Sequence, residues 1–281
     1  MSDRFNWLEI NTGGQQRQAS SAPRVPPHDA SSFYQAARNM REAAHLGTAC
    51  DYYRKAVGLN DQNYGAWCEL IDTLVRNNEL DEAEKVSSDA FENYRQVRLL
   101  YAARALVMTY RRRTEEAFPL ISVALEGDPA AWYPRCVMGE MLVRFDREKR
   151  FEAERFFEEA IEKAGNPWEP YFLAGWAFLY AGMPALAASY LAEAAHFRPK
   201  SAWCWLCLGD SFRSLRLYEQ ATFYYQRAQE IEPNSELAIT RQKECSKLSF
   251  GLMRIFNRHK LRDRWNAALE ERRQESEREE S

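Results

Sequence analysis

Two series of alanines, seven residues apart, recur through the middle of the chain with a spacing of 34 residues and one step of 36. Four positions after the first alanine stands a larger residue in five repeats out of six, with Ser87 as the exception. Offsets of four and seven place these residues on one face of a helix. A fixed period of this length indicates a chain built from repeated structural units. The first series is Ala49, Ala83, Ala117, Ala153, Ala187 and Ala221; the second is Ala56, Ala90, Ala124, Ala160, Ala194 and Ala228; the larger residues are Tyr53, Ile121, Phe157, Leu191 and Tyr225.

A second apolar pattern lies upstream of each alanine pair. In the sixth repeat Trp205, Leu208, Gly209 and Phe212 recur at offsets of three, four and seven, which is again one helix face. A helix, a turn and a second helix fill 34 residues and leave no room for a sheet. The 12 Gly and 11 Pro among 281 residues are also too few for a many-stranded β protein. We therefore expect an all-α protein.

The positions of these residues resemble the tetratricopeptide repeat family, whose unit has a large residue, a Leu, a small residue, an aromatic, then Ala, a large aromatic, Ala and Pro. The sixth unit matches best, with Trp205, Leu208, Gly209, Phe212, Ala221, Tyr225, Ala228 and Pro233. The resemblance implies a right-handed α-solenoid of six helix-turn-helix units with a C-terminal capping helix. It also implies a concave groove lined by the first helix of each unit. The fourth unit has two extra residues, which we place in its internal turn, around 147–150.

The resemblance covers residues 30–235 and leaves a segment on either side. It divides the covered part into units at 30–63, 64–97, 98–131, 132–167, 168–201 and 202–235. Residues 1–29 begin with a short aromatic motif containing Phe5 and Trp7, followed by a run rich in Gly, Gln, Ser and Pro that indicates a flexible tether. The motif is either a docking peptide or a cap on the first unit. Residues 236–281 are expected to form a capping helix and a charged tail.

Charge and composition exclude several functions. The net charge of −3 gives no overall positive field for nucleic acid, so none is expected as a partner. The four histidines have no cysteine, serine or carboxylate partner implied by spacing, so we expect no enzyme and no small-molecule substrate. Cys204 and Cys207 form a C-x-x-C pair without further ligands, so we expect neither a metal site nor a cofactor.

The compartment and the relation to membranes follow from two further observations. The six cysteines are spread through segments with a helical pattern, and no apolar leader begins the sequence. We therefore expect reduced thiols and a cytoplasmic protein. The stretch 170–192 has no charged residue and raises the question of a membrane span. Because Gly182, Met183 and Pro184 interrupt it, we expect a turn between two short helices.

The expected groove is polar at its ends and apolar at its centre. Apolar surface exposed in this way commonly marks a partner site, and aromatic residues contribute most of the free energy there. We therefore predict that Phe172 and Trp176 anchor a peptide or helix of a partner protein. The alternative is a tightly wound superhelix whose inner residues contact one another. The predicted groove residues are Leu106, Glu140, Val143, Phe172, Trp176, Leu179, Leu206, Asp210 and Arg213.

A basic amphipathic segment near the C-terminus suggests a second function. Segments of this kind lie on anionic membrane surfaces, although capping of the solenoid explains the same apolar face. The sequence thus favours a non-catalytic adaptor that binds a partner in its groove. The alternative is a peripheral membrane linker that also holds a cytoskeletal or similar protein, as in the kinesin light chains, whose repeats are longer. The predicted lipid contacts are Lys247, Arg254, Arg258, Lys260 and Arg262.

Overall fold

The computed structural model describes residues 28–249, which form thirteen α-helices, one short 3-10 helix and no strand. The all-α class predicted from the repeats is confirmed. Apart from the last, the helices form six consecutive helix-turn-helix pairs. They are α1 Ala30–Glu42, α2 Leu46–Leu59, α3 Tyr64–Arg76, α4 Leu80–Asn93, α5 Arg98–Tyr110, α6 Thr114–Leu125, α7 Tyr133–Phe145, α8 Arg150–Lys163, α9 Trp168–Tyr180, α10 Pro184–Phe197, α11 Ala202–Ser214, α12 Tyr218–Ile231 and α13 Glu236–Ser249.

The turn inside five of the six pairs has the same backbone conformation. One residue in each adopts a left-handed φ of 60° to 75°, and the next amide donates to the carbonyl five residues earlier, which terminates the first helix. These residues are Ala44, Asn78, Arg112, Gly182 and Arg216. The fourth pair instead contains the 3-10 helix Arg147–Lys149, which accommodates its two extra residues where the sequence predicted them.

Both alanine series lie in the core, as their period predicts. All twelve alanines are buried, and so are the larger residues between them. Helices approach closely only where small side chains meet large ones, so each alanine permits contact with a neighbouring helix. At Gly175 the approach is closer still, because an added Cβ would lie 2.5 Å from Cγ of Leu191.

The uncharged stretch 170–192 is divided between two helices. Helix α9 ends at Tyr180, Gly182 has a left-handed φ of 75°, and α10 begins at Pro184. The predicted turn is therefore confirmed. Across residues 28–249, no helix combines the length and the apolar character needed to cross a membrane.

The superhelix winds so tightly that its first pair of helices contacts its fifth and sixth pairs. Both carboxylate oxygens of Glu42 accept hydrogen bonds from Arg198, at 2.9 Å each, and the Glu42 carbonyl accepts one from Ser201. Arg41 lies over the ring of Trp203 in α11, 5.6 Å from its centroid. We call the contacts of Glu42 with Arg198 and Ser201 the latch. They close the solenoid into a ring around its own axis.

Helix α13 packs on α12 at the end of the array. It buries Ala238 and Cys245, and Arg241 forms an ion pair with Asp210 in α11. Leu237 and Leu248 remain exposed. A helix without the repeat pattern thus covers part of the last unit, as expected for the end of a solenoid.

Candidate functional site: the interior of the closed superhelix

The residues predicted to line an open groove do face the axis of the superhelix, but most of them are buried. Phe172 is 1% exposed and Trp176 is 6% exposed. The expectation that they form an exposed apolar patch is therefore wrong. Of the predicted set, Leu106, Glu140, Val143, Leu206 and Asp210 are buried as well, whereas Leu179 and Arg213 remain partly exposed.

Contacts between first helices explain this burial. Trp176 donates a hydrogen bond from Nε1 to the hydroxyl of Tyr110 at 3.1 Å, and the guanidinium of Arg76 lies 5.3 Å from its ring centroid. The rings of Phe172 and Trp203 are 4.4 Å apart between centroids. Since these partners come from α3, α5 and α11, the tight winding fills the groove with side chains of the protein itself.

A buried ion network surrounds Glu140 on one side of these aromatics. Arg76 donates to both carboxylate oxygens of Glu140 at 2.8 and 2.7 Å, and Arg144 and Tyr110 donate as well. Burial alone would raise the pKa of Glu140, but Arg76 and Arg144 outweigh it and lower the pKa to about 2. This carboxylate is therefore ionised and fully paired.

A second part of the network surrounds Arg41. Its terminal nitrogens lie 3.2 Å from Asp72, 3.5 Å from Glu69 and 3.6 Å from Glu169. Glu69 also accepts hydrogen bonds from the hydroxyls of two tyrosines, Tyr34 and Tyr53. Among residues 28–249, Glu169 accepts one hydrogen bond, from Arg38 at 3.1 Å.

A pocket of about 290 Å³ lies beside this second part, and we call it the axial pocket. Five consecutive units contribute to its wall. Two buried polar atoms of its lining residues, the hydroxyl of Tyr133 and Nε of Arg41, have no hydrogen-bond partner among the described residues. The lining residues are Arg41, Gly65, Cys68, Glu69, Asp72, Leu99, Ala131, Trp132, Tyr133, Glu169 and Leu173.

Sequence reasoning did not include the axial pocket among the candidate sites. Its lining contains the second residue of each predicted unit from the second to the fifth, namely Gly65, Leu99, Tyr133 and Glu169. The predicted groove residues stand instead at the fifth, ninth or twelfth position of their units. The pocket could have been predicted from the second positions of neighbouring units, taken together with the carboxylates of α3.

Apart from Cys68, the cysteines lie outside the lining of the axial pocket. All six are reduced and buried, and burial raises the pKa of the Cys204 thiol to about 12, so this thiol is protonated at neutral pH. No cluster of metal-ligating side chains occurs in the part of the chain that the structure describes.

Of the predicted lipid contacts, Lys247 is exposed in the last turn of α13. Arg254, Arg258, Lys260 and Arg262 lie outside the described residues. Contact with lipid therefore stays a prediction, which co-sedimentation with anionic vesicles tests.

Comparisons with known proteins place the fold. Neither the protein-family models nor the curated proteins include a match to this chain. Among solved structures, a thermophilic tetratricopeptide repeat protein of Thermus thermophilus is similar, with a TM-score of 0.53 and 16% identity, over 64% of this chain and 97% of that one. A tetratricopeptide repeat protein of Parabacteroides merdae is 15% identical over 79% of this chain and 86% of that one, with a TM-score of 0.49.

The class of protein follows from the helix pairs together with the similarity to the Thermus thermophilus protein. The chain is an α-solenoid with the tetratricopeptide repeat fold, as the resemblance of its repeats to that family implied.

Proposed function

We propose that this protein is a non-catalytic adaptor that binds a segment of a partner protein at the axial pocket. The observation that supports this proposal is the convergence of the first five units on one cavity. The stacked units of a solenoid form a concave inner surface that such proteins use to bind partners, which agrees with this location.

The proposal changes the role of the predicted groove residues. Phe172 and Trp176 pack against Trp203, Tyr110 and Arg76 inside the superhelix and would contact a partner only if this packing opened. Leu179 and Arg213 remain partly exposed and offer a second, weaker contact region at the other ends of α9 and α11. A partner at the axial pocket would leave the latch intact.

Site-specific photocrosslinking in cells tests the location. A photoreactive amino acid is placed at Leu99 in the wall of the axial pocket, at Leu179, and at the exposed Glu92 on α4 as a control. We expect one specific partner band with the probe at Leu99 and none at Glu92. A band only at Leu179 would move the site to the other end, and the absence of specific bands at both inner positions would contradict an adaptor that works through its interior.

A further inference from the structure

The axial pocket opens at the end of the superhelix where the first helices begin. Lining residues one or two turns into these helices, such as Cys68, Asp72 and Leu173, are buried. Lining residues at the very start of four consecutive first helices are only half-buried, and they form the mouth of the pocket. The mouth residues are Gly65, Leu99, Tyr133 and Glu169.

The chain enters its first helix at the same end. Tyr34, in the second turn of α1, donates a hydrogen bond to Glu69 in the pocket lining at 2.5 Å. The same hydroxyl lies 3.9 Å from where a Cβ on Gly65 would stand. Helix α1 begins at Ala30, four residues before Tyr34, which is ~6 Å of helix. The chain that precedes α1 therefore continues from a point close to the mouth of the pocket.

The polar part of the pocket wall needs no charged ligand. Its three carboxylates face three arginines at 2.9 to 3.8 Å. The pairs are Arg38 with Glu69 and Glu169, Arg41 with Asp72, and Arg76 with Asp72. Leu99, Ala131, Trp132 and Leu173 supply apolar surface beside them. An uncharged apolar group can therefore enter without separating a charge from its partner.

The N-terminal segment contains apolar groups of this kind. Residues 1–27 lie outside the described residues, and most of their large apolar side chains are concentrated at positions 5–10, which we call the aromatic motif. They are Phe5, Trp7, Leu8 and Ile10. Side chains of this type gain free energy when they leave water.

The size of the pocket favours one member of the motif. A volume of about 290 Å³ is just below the ~300–1,000 Å³ of small-molecule sites, so the pocket suits one large side chain better than a cofactor. Trp7 is the largest side chain of the motif and brings a hydrogen-bond donor. Its indole N–H can donate to the carboxylate of Glu69 or Glu169, which are both partly exposed.

The segment between the aromatic motif and α1 is long enough to reach the pocket. The 17 residues at positions 11–27 span at most ~60 Å when fully extended. As a flexible chain they have a root-mean-square length of ~20–25 Å. A linker of this kind holds a ligand at an effective concentration in the millimolar range. A site with only weak intrinsic affinity would therefore still be occupied from within the chain.

We propose that the indole of Trp7 occupies the axial pocket of its own chain, against Leu99, Trp132 and Leu173. The aromatic motif is then an internal ligand that a partner must displace before it binds. This competition rests on the proposed adaptor function, whereas the contact of Trp7 with the pocket does not.

Photocrosslinking within the full chain tests the contact. A photoreactive phenylalanine analogue replaces Trp7, or Gln15 as a control, and mass spectrometry identifies the joined peptides. We expect the probe at position 7 to join to peptides that contain Leu99 or Trp132, and the probe at position 15 to select no single site. A mixture of isotopically labelled and unlabelled chains separates contacts within one chain from contacts between two copies.

Titration with the motif as a peptide measures the occupancy of the pocket. A fluorescent peptide of residues 1–12 is added to the full chain and to its Trp7→Ala variant, and fluorescence polarisation is recorded. For a peptide Kd of ~0.1 mM and an effective concentration of ~1 mM, the wild type should bind the peptide about tenfold more weakly than the variant, because its own motif competes.

Variants of the pocket wall locate the peptide. Leu99→Glu, added to the Trp7→Ala chain, should abolish peptide binding because it places a charge on the apolar wall. The matched control is Leu59→Glu, which changes a leucine that is 60% exposed at the end of α2 and should leave binding unchanged. Circular dichroism and thermal melting confirm that each variant folds, and Ala131→Glu serves if Leu99→Glu does not.

Each result decides the proposal. Equal peptide binding by the wild type and Trp7→Ala, no peptide binding by Trp7→Ala, or binding that survives a folded Leu99→Glu or Ala131→Glu would overturn it. Crosslinks from position 7 that form only between two copies, or that avoid the pocket, would also overturn it. Crosslinks from position 7 to the pocket, with no partner captured at Leu99 in wild type or Trp7→Ala, would keep the internal ligand and reject the adaptor site.

Discussion

Three glycines, Gly139, Gly175 and Gly209, occupy the same position in the first helix of the last three units. Each faces the large residue of its own second helix, and an added Cβ would lie 2.5 to 2.8 Å from the nearest atom of Phe157, Leu191 or Tyr225. Since helix propensity disfavours glycine, its presence in three helix interiors is explained by this close approach.

Gly175→Ala should therefore destabilise the fold although alanine is the better helix former. The expected loss is ~1–3 kcal/mol, because the added methyl group overpacks a contact with Leu191. Gly58→Ala, in the exposed part of α2 where nothing lies within 4 Å of the added Cβ, should stabilise by ~0.5–1 kcal/mol. Urea denaturation of both variants measures the difference, and equal effects would contradict the packing explanation.

The pairing of Glu140 predicts a specific dependence of stability on pH. Its pKa is about 2 in the folded protein against a usual value of 4.5. A lowered folded-state pKa stabilises the fold above about pH 4.5, and this contribution is lost as the pH falls toward 2. The contribution is roughly 3 kcal/mol, from 1.36 kcal/mol per pKa unit.

Glu140→Gln should lose ~3–5 kcal/mol at neutral pH, because it leaves Arg76 without its full partner in the interior. The variant should also show a shallower decline in stability between pH 4.5 and 2 than the wild type. Denaturant melts at several pH values measure both, with Glu92→Gln as the control that keeps the wild-type slope. A variant with an unchanged slope would show that Glu140 is not the group that titrates.

At the scale of the element, α6 contains a proline where a helix normally excludes one. Pro119 is the sixth residue of Thr114–Leu125 and is exposed, so it gains little from packing. Its ring removes an amide donor from the helix and crowds the carbonyl four residues earlier. Pro184 in α10 differs, because it lies in the first turn, where the amide has no helical partner.

Pro119→Ala should stabilise the protein by ~1–2 kcal/mol. Restoring the amide recovers part of the ~3 kcal/mol cost of an interior proline, and the added freedom of the unfolded chain cancels some of that gain. Pro184→Ala should be neutral or destabilising. Thermal melting compares the two, and a destabilised Pro119→Ala would mean that the proline supports a bend that the rest of the fold requires.

Contacts between neighbouring elements could be predicted from the sequence, and contacts between distant ones could not. The alanine registers and Gly182 determine how one helix meets the next, and both predictions held. Closure of the ring depends on small rotations between units, which accumulate along a solenoid. The hydrogen bond between Arg38 and Glu169 joins residues 131 positions apart, and no period in the sequence indicates it. The burial of Trp176 and the axial pocket both follow from that closure. The burial agrees with the alternative of a tightly wound superhelix and not with the favoured open groove, and the pocket was missed.

At the scale of the whole molecule, a substitution in the latch tests whether polar contacts keep the ring closed. Arg198→Ala removes both hydrogen bonds to Glu42. Partly exposed ion pairs contribute only ~0–1 kcal/mol, so global stability should change little. We expect faster amide hydrogen exchange in α1, because the first pair of helices would separate from the fifth more often.

Arg227→Ala provides the control for this change. Arg227 pairs with Glu230 inside α12, at a similar distance of 2.8 Å, and takes no part in closure. Its removal should leave exchange in α1 at the wild-type rate. If Arg198→Ala also leaves it there, the remaining contacts of the first pair, those of Arg38 and Arg41 with Glu169 and of Arg41 with Trp203, are enough to hold the ring closed.

The latch also bears on how such a chain can change its length in evolution. An open solenoid tolerates the gain or loss of a unit, because each unit contacts only its neighbours and their contributions add. Here Glu42 meets Arg198 only because a fixed number of rotations separates them. Duplication or deletion of one unit would move the two ends out of register, and the latch could not form. Closure therefore selects a single number of repeats. It also links the first unit to the last in one cooperative structure.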